Sequence, residues 1–312
     1  MYLFVQHQIK VIKITKQKTF LNVEKVTLED SLGNIVFLGI PTEEGHVFRE
    51  GTAKAPDAIR NASLMYYYPG YNGSYDPEQQ KHILRNVKMT DLSNINLNQR
   101  NCSSEEIIKE YISKILSKDA LPVILGGDHS ITYAILSAYN KSVNVIHLDA
   151  HGDFQRYDES DVAPCGTVIR KVCSLPNIQK IIQVGIRGYL NSKQGIQDSI
   201  KRGNIVIPCN KLKVEGIETI LSHINKGESY YITFDSDFLD PSICPGTTVP
   251  ELGGISYDLA RDLLYAVANR AKIVGMDFVE LNPMYDPTQI SAICASRLII
   301  GTLGEISKNL KR

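Results

Sequence analysis

Short runs of almost unbroken Val and Ile recur along this chain, separated by longer stretches with helical spacing. The strand-like runs are 34–40, 122–126, 143–149, 180–186, 204–208, 230–235 and 272–279. Helical patterns cover 54–65, 104–117, 130–139, 192–201, 215–225, 256–269 and 288–308. The helix at 104–117 opens with S-S-E-E, a first turn rich in acid. Strands that are apolar on both faces must be covered on both faces, and strands alternating with helices pair in parallel. The expected fold is therefore α/β, a three-layer α/β/α domain with a mostly parallel central sheet. Neither an internal repeat nor a Pro/Gly-rich linker divides the chain. Residues 1–32, with strand-like alternation over 9–15 and then a polar run, read as an N-terminal extension; 33–312 read as one catalytic domain.

Ligands of such sheets gather beyond the carboxyl ends of the strands. Acids and histidines crowd at those ends here. L-G-G-D-H-S (125–130) follows one strand, D-A-H-G-D (149–153) a second and F-D-S-D (234–237) a third, while Glu280 ends a fourth. Asp149, His151 and Asp153 are spaced by two, as are Asp235 and Asp237, so in extended backbone each set points to one side. Counting His129, four carboxylates and two imidazoles could share two divalent cations. A single strand-end acid is commonly a cap. Six together without a cation would repel one another and lose solvation at a cost of several kcal/mol. Oxygen ligands with a minority of imidazole and no thiolate favour Mn(II) over Zn(II).

Bulk composition removes competing classes. Lys plus Arg and Asp plus Glu are 34 each, so no net field favours nucleic acid or an acidic membrane. The six cysteines form no C-x-x-C pair, which argues against a zinc ribbon and for free thiols in a reducing compartment. The opening residues lack the basic n-region and cleavage site of a signal peptide, and no run suggests a membrane span, so a cytoplasmic protein is expected.

The motifs G-G-D-H-S (126–130), D-A-H-G-D (149–153), F-D-S-D-F-L-D-P (234–241), P-G-T (245–247), G-G (253–254) and V-E-L-N-P (279–283) resemble the ureohydrolase family of arginases, agmatinases and formiminoglutamases. The resemblance spans about 34–310 and includes the loop and helix at 44–60. It implies two Mn(2+) per chain, one held by His129, Asp149, Asp153 and Asp235 and the other by Asp149, His151, Asp235 and Asp237. Asp149 and Asp235 would bridge, and Asp128 would be a cap or support. Glu280 matches the acid that pairs with the substrate guanidinium, its alternative being a buried partner for a nearby Lys or Arg. The implied reaction is hydrolysis of a guanidino compound by a metal-bridging hydroxide, with Asp153 handling its proton. A homo-oligomer, trimer or hexamer, is implied as well.

The segment 158–170 lacks the S-G-N-x-H-G stretch of arginases, whereas 182–188 and 244–256 look more like agmatinase. Agmatine hydrolysis to putrescine and urea is thus the leading expectation. Where the family carries a proton-shuttling His, this chain has Cys165, and no His lies between His151 and His223. Cys165 is either a poor substitute in proton transfer or a small pocket-wall residue. Its presence keeps open other guanidino acids or guanidines, a formiminoglutamate-like substrate, and a metal-binding regulatory subunit without turnover. His46 could replace the missing imidazole, though a loop role is preferred. His147 reads as a packed core imidazole. The tyrosines of 65–75 either line the mouth of a substrate pocket or meet a neighbouring subunit.

Overall fold

The computed structural model describes residues 18–45, 48–98, 102–156 and 164–310. The strand-like alternation expected at 9–15 and His46 lie outside the described residues. Among those described, the strands are β1 (Glu24–Lys25), β2 (Ile35–Ile40), β3 (Ser74–Asp76), β4 (Lys81–Ile83), β5 (Met89–Asn94), β6 (Leu121–Gly126), β7 (Val143–Leu148), β8 (Ile178–Ile186), β9 (Ile205–Pro208), β10 (Ser229–Asp235) and β11 (Lys272–Val279). The helices are α1 (Ala55–Ser63), α2 (Ser104–Ser117), α3 (Ile131–Ser137), α4 (Val168–Val172), α5 (Lys193–Lys201), α6 (Cys209–Glu215), α7 (Glu218–Leu221), α8 (Tyr257–Arg270) and α9 (Ile290–Ile306).

Nine strands form one sheet in the order β1-β5-β2-β6-β11-β10-β7-β8-β9, and every pairing within it is parallel. Side chains alternate between its faces with the strand period of two. Phe37, Val123, Leu148, Phe234 and Phe278 pack on one side with Ile59 of α1, Leu263 of α8 and Leu303 of α9. Val36, Leu38, Ile124, Val145 and Val279 pack on the other with Ile112 of α2, Ile135 of α3 and Ile169 of α4. The α/β/α sandwich anticipated from the apolar runs is thus the observed fold, and its sheet is wholly parallel. Ile290–Asn309 is long and apolar enough to cross a membrane, but its most apolar 18-residue stretch is 78% buried in this core.

The expected elements are present with shifted ends, and the differences have local causes. Helix α2 starts with a reciprocal cap: Glu106 N–H donates to Ser103 Oγ at 3.2 Å, and Ser103 N–H to Glu106 Oε2 at 2.9 Å. The helix expected at 215–225 is reduced to the short α7, and α6, which the apolar pattern missed, precedes it and ends where Gly216 takes φ +77°. Strand β5 escaped the apolar reading because its centre is polar. Its buried Asp91 pairs with Arg60, itself buried in α1, through two 2.9 Å bonds. Phe20 and Leu21, within the expected extension, are buried, and Phe20 stacks on Phe37 at 4.3 Å.

Topology decides where chemistry can collect. From β6 the chain passes to β7 and leaves a gap of two strands, later filled by β10 and β11. The strands β6-β11-β10-β7 thereby become four consecutive neighbours at the sheet's centre. These are the four whose carboxyl ends bear the acids and histidines, and the gap is a topological switch point of the kind where α/β sheets bind ligands.

A candidate metal centre at four strand ends

His129 follows β6, Asp149 follows β7, Asp235 ends β10 and Glu280 follows β11. The sheet brings them together. His129 Nδ1 lies 3.2 Å from each of Asp149 Oδ2, Asp153 Oδ2 and Asp235 Oδ2. His151 Nδ1 lies 2.9 Å from Asp237 Oδ2 and 3.5 Å from Asp149 Oδ1. Asp149 thus offers one oxygen to each group, and it is shared by two sets of metal-competent atoms, one from His129, His147, Asp149 and Asp153 and one from Asp149, His151 and Asp237.

The backbone sets how these carboxylates point. One oxygen of each is tied down: Asp149 Oδ1 accepts from His151 N–H at 2.5 Å, Asp235 Oδ1 from Asp237 N–H at 2.9 Å, and Asp237 Oδ1 from Ala150 N–H at 2.9 Å. The oxygens Asp149 Oδ2, Asp235 Oδ2 and Asp237 Oδ2 face the imidazoles. Asp153 is turned toward the cluster by a left-handed backbone, φ +46°, and Glu280 by φ +61°. Such conformations cost a non-glycine residue free energy and persist where surroundings enforce them. The surroundings do so at Asp153, whose carbonyl accepts from Ile169 N–H at 3.1 Å and Arg170 N–H at 3.3 Å at the start of α4. Asn191 steadies the same loop, accepting from Gly152 N–H at 2.8 Å and donating to the Ala150 carbonyl at 3.1 Å.

The electrostatics are those of a site short of positive charge. Burial and neighbouring carboxylates raise Asp235 well above the usual range, and burial with Asp149 raises Asp237. Burial also works on Asp149, but His147, His129 and His151 outweigh it and hold that carboxyl well below its ordinary value. The histidines respond in kind. Against the cost of burial, Asp149, Asp153 and Asp235 raise His129 well above its usual value, and Asp237 and Asp149 push His151 up to about 12. His129 Nδ1 is buried and makes no hydrogen bond despite its three carboxylate neighbours. An unbonded imidazole nitrogen equidistant from three carboxylate oxygens fits a divalent cation, which would satisfy all four at once.

Glu280 sits at this recess with His129, Asp235 and Asp237. Its Oε1 accepts from His129 N–H at 2.7 Å, and burial together with nearby Asp128 pushes its carboxyl up to about 8. Among the described residues no Lys or Arg pairs with it, so its alternative reading as half of a buried ion pair finds no partner. Asp128 caps the turn through Ser130 N–H at 2.9 Å and holds the Gly45 N–H at 3.1 Å.

Cys165 stands at the recess edge, lining both it and a cavity of about 520 Å³. Its thiol donates to the Gly45 carbonyl at 2.8 Å. Burial, then Glu280 and Asp153, push its pKa far up, so it stays protonated. The cavity's other walls are largely apolar, among them Phe48, Phe154, Leu190, Ile196, Val249 and Pro250. None of the tyrosines of 65–75 lines it; Tyr68 and Tyr71 pack edge to face on each other at 5.5 Å.

His147 corrects its sequence reading as a merely packed imidazole. It is buried, but its Nε2 lies 2.8 Å from Asp149 Oδ2. Sequence reasoning also passed over Thr233, whose Oγ1 lies 2.9 Å from His129 Nε2, and Asp277, which accepts from Thr132 at 2.9 Å and Tyr231 at 3.0 Å. Gln183, Asn191 and Arg170 were missed as well. For Thr233, Asp277 and Gln183 the available signal was a polar residue inside an otherwise apolar strand; Asn191, in a loop, and Arg170, in α4, offered no such signal.

Most of the chain is similar to known proteins. A family model described as the arginase family matches residues 33–304. The agmatinase of Halalkalibacterium halodurans is 32% identical over 273 residues, covering 85% of this chain and 89% of that protein. A mitochondrial guanidino acid hydrolase of Rattus norvegicus is 29% identical over 281 residues, covering 87% and 78%. Among solved structures, the agmatine ureohydrolase of Thermoplasma volcanium matches with a TM-score of 0.76 at 26% identity, covering 95% of this chain and 96% of that one.

Proposed function

This chain belongs to the arginase family, hydrolases of guanidino and amidino compounds, and from that premise we propose that it is a dimanganese agmatinase, splitting agmatine into putrescine and urea. The observation that carries this reading is the His129–Asp149–His151 cluster with Glu280 at its edge. His129, Asp149, Asp153 and Asp235 would hold one cation, and Asp149, His151, Asp235 and Asp237 the other. When bound, the cation pair supplies the Lewis acidity that lowers the pKa of water from about 15.7 toward 7.

The chain's own groups do the rest. Glu280 binds the planar guanidinium through a carboxylate, whose geometry matches two parallel N–H donors. Water attacks the guanidinium carbon and the bond to the alkyl nitrogen breaks. Asp153 holds the proton released by the water and returns it to the leaving amine. We assign Cys165 no part in that transfer, since its thiol donates to the Gly45 carbonyl and burial raises its pKa away from neutrality. Apolar walls suit a methylene chain, and no Lys or Arg lines the cavity among the described residues, so none is on hand there to read a carboxylate. That favours agmatine over guanidino acids. The missing shuttle imidazole at Cys165 sustains one second reading, a guanidino acid or formimino substrate.

The test is a substrate panel on protein of known manganese content, containing agmatine, arginine, guanidinobutyrate and formiminoglutamate. Urea from agmatine is the expected result. Formamide from formiminoglutamate would establish the second reading. Full metal content with no turnover of any member would reduce the protein to a metal-binding subunit.

A further inference from the structure

We propose that His147 and Gln183 are positioning residues that fix the orientation of Asp149, and through it the affinity of the cluster for its first cation. The inference rests on the metal-centre reading above. It starts from a rung of the sheet: Gln183 of β8, His147 of β7, Thr233 of β10 and Asp277 of β11 are register partners across four adjacent strands. All four are buried polar residues one layer below the site, in strands otherwise filled with Val, Ile and Phe.

The hydrogen bonds on the Gln183 side of this rung admit one direction only. Gln183 Nε2 lies 2.6 Å from the Gly152 carbonyl, which can only accept, so the amide nitrogen belongs there. The amide oxygen then faces Ser199, whose hydroxyl donates to it. Ser199 Oγ in turn accepts from Asn204 Nδ2 at 2.9 Å, which leaves its proton free for Gln183. The second N–H of Gln183 points at His147 Nδ1, 3.3 Å away, so that nitrogen presents its lone pair. Nε2 of His147 must therefore carry the hydrogen, and it donates to Asp149 Oδ2 at 2.8 Å.

Asp149 Oδ2 is the oxygen that faces His129 Nδ1 at 3.2 Å, on the side of the first cation. The donated hydrogen fills one of its lone-pair directions and leaves the other for the cluster. Gln183 also holds Gly152, the residue between His151 and Asp153. One buried amide therefore braces the shared carboxylate and the loop that bears two further ligands, without touching the site.

The experiment titrates metal-free wild type, Gln183→Met, His147→Phe and His147→Gln with Mn(II), reading free Mn(II) by electron paramagnetic resonance. Unfolding temperatures of the metal-free proteins are measured alongside. Wild type should take up two ions. Gln183→Met and His147→Phe should bind one of the two about 10- to 100-fold more weakly, the usual effect of losing an outer partner of a ligand. His147→Gln sets an amide N–H near the lost Nε2–H and should recover most of that affinity. Unchanged affinities in folded Gln183→Met and His147→Phe would overturn the proposal, as would equal losses in His147→Phe and His147→Gln. Should Gln183→Met not fold, the two His147 variants decide the matter alone. A wild type that binds no manganese sinks the metal-centre reading itself, a different result from two ions bound with no effect of the variants.

Discussion

Asp149 is the residue on which both halves of the centre depend, because Oδ2 serves the His129 side and Oδ1 the His151 side. Asp149→Ala should therefore take manganese content, measured by mass spectrometry after gel filtration, from two ions to none. His129→Ala removes a ligand from one set and should leave one ion. Equal, mild losses in the two variants would contradict the shared role. Glu280 has a separable task. On the proposed reading, Glu280→Gln keeps an acceptor for the His129 N–H but removes the carboxyl that a bound guanidinium would hold ionised against its pKa of about 8. A charged hydrogen bond contributes about 1.5–3 kcal/mol, so KM for agmatine should rise roughly 10- to 100-fold at unchanged manganese content. A KM within twofold of wild type would remove Glu280 from substrate binding. At this scale the position of a motif was legible in the sequence. D-A-H-G-D and F-D-S-D place their acids and imidazoles at strand ends, but not in the extended backbone their spacing suggested: Asp153 reaches the cluster through φ +46° and Asp237 from a short 3-10 turn. His147 and Gln183 could not be read that way, because their meaning depends on the register between β7 and β8.

Elements that carry no ligand hold the ligand-bearing loop in shape. Helix α4 is short, and it escaped detection because five residues give too little periodicity to recognise. Its Arg170 nevertheless binds the Phe154 carbonyl at 2.6 Å, the Gln155 carbonyl at 2.7 Å and Asp198 of α5 at 3.0 Å, and lies over the Phe154 ring at 4.5 Å. That clamp follows directly on Asp153 and its strained backbone. Asp198 is the counter-charge, and bonds from Gln194, then Arg170 and Arg156, lower its carboxyl to about 2. A folded pKa below the unfolded value of about 3.9 stabilises the fold above that value, and the contribution fades as pH falls toward 2. Asp198→Asn should accordingly be less stable than wild type at neutral pH, and the difference should close between about pH 4 and pH 2. Denaturant unfolding followed across that range checks it, and a gap that does not change with pH would show that the ion pairs contribute nothing. At this scale the apolar pattern conveyed continuity of burial. It located the long strands and helices, whose burial is continuous, and missed β5 and α6, where Asp91 and Gly216 interrupt the pattern for reasons visible only in three dimensions.

Across the whole molecule, the parallel sheet gathers like charges at one edge and leaves a cation to compensate them. The ends of four adjacent strands are followed or closed by Asp128 and His129, Asp149, Asp235 and Glu280, and burial with mutual repulsion raises Asp235 and Asp237 in the metal-free protein. A ligand that binds only the folded state stabilises it by about 2.7 kcal/mol when present at 100 times its Kd. Manganese should therefore raise the unfolding temperature relative to protein held in chelator. Its effect should also depend on pH, in a direction the histidines set. His151 is pushed up to about 12 and His129 is raised as well, so in metal-free protein both hold protons at neutral pH that a cation must displace. For each proton released on binding, affinity falls about tenfold per pH unit of acidification. The gap in unfolding temperature between manganese and chelator should thus widen from pH 6 to pH 8 at fixed free Mn(II), and calorimetric titration in buffers of different ionisation enthalpy should detect the released protons. A gap of zero at every pH would mean that the strand-end cluster holds no ion, and its carboxylates and imidazoles would then satisfy one another as buried ion pairs.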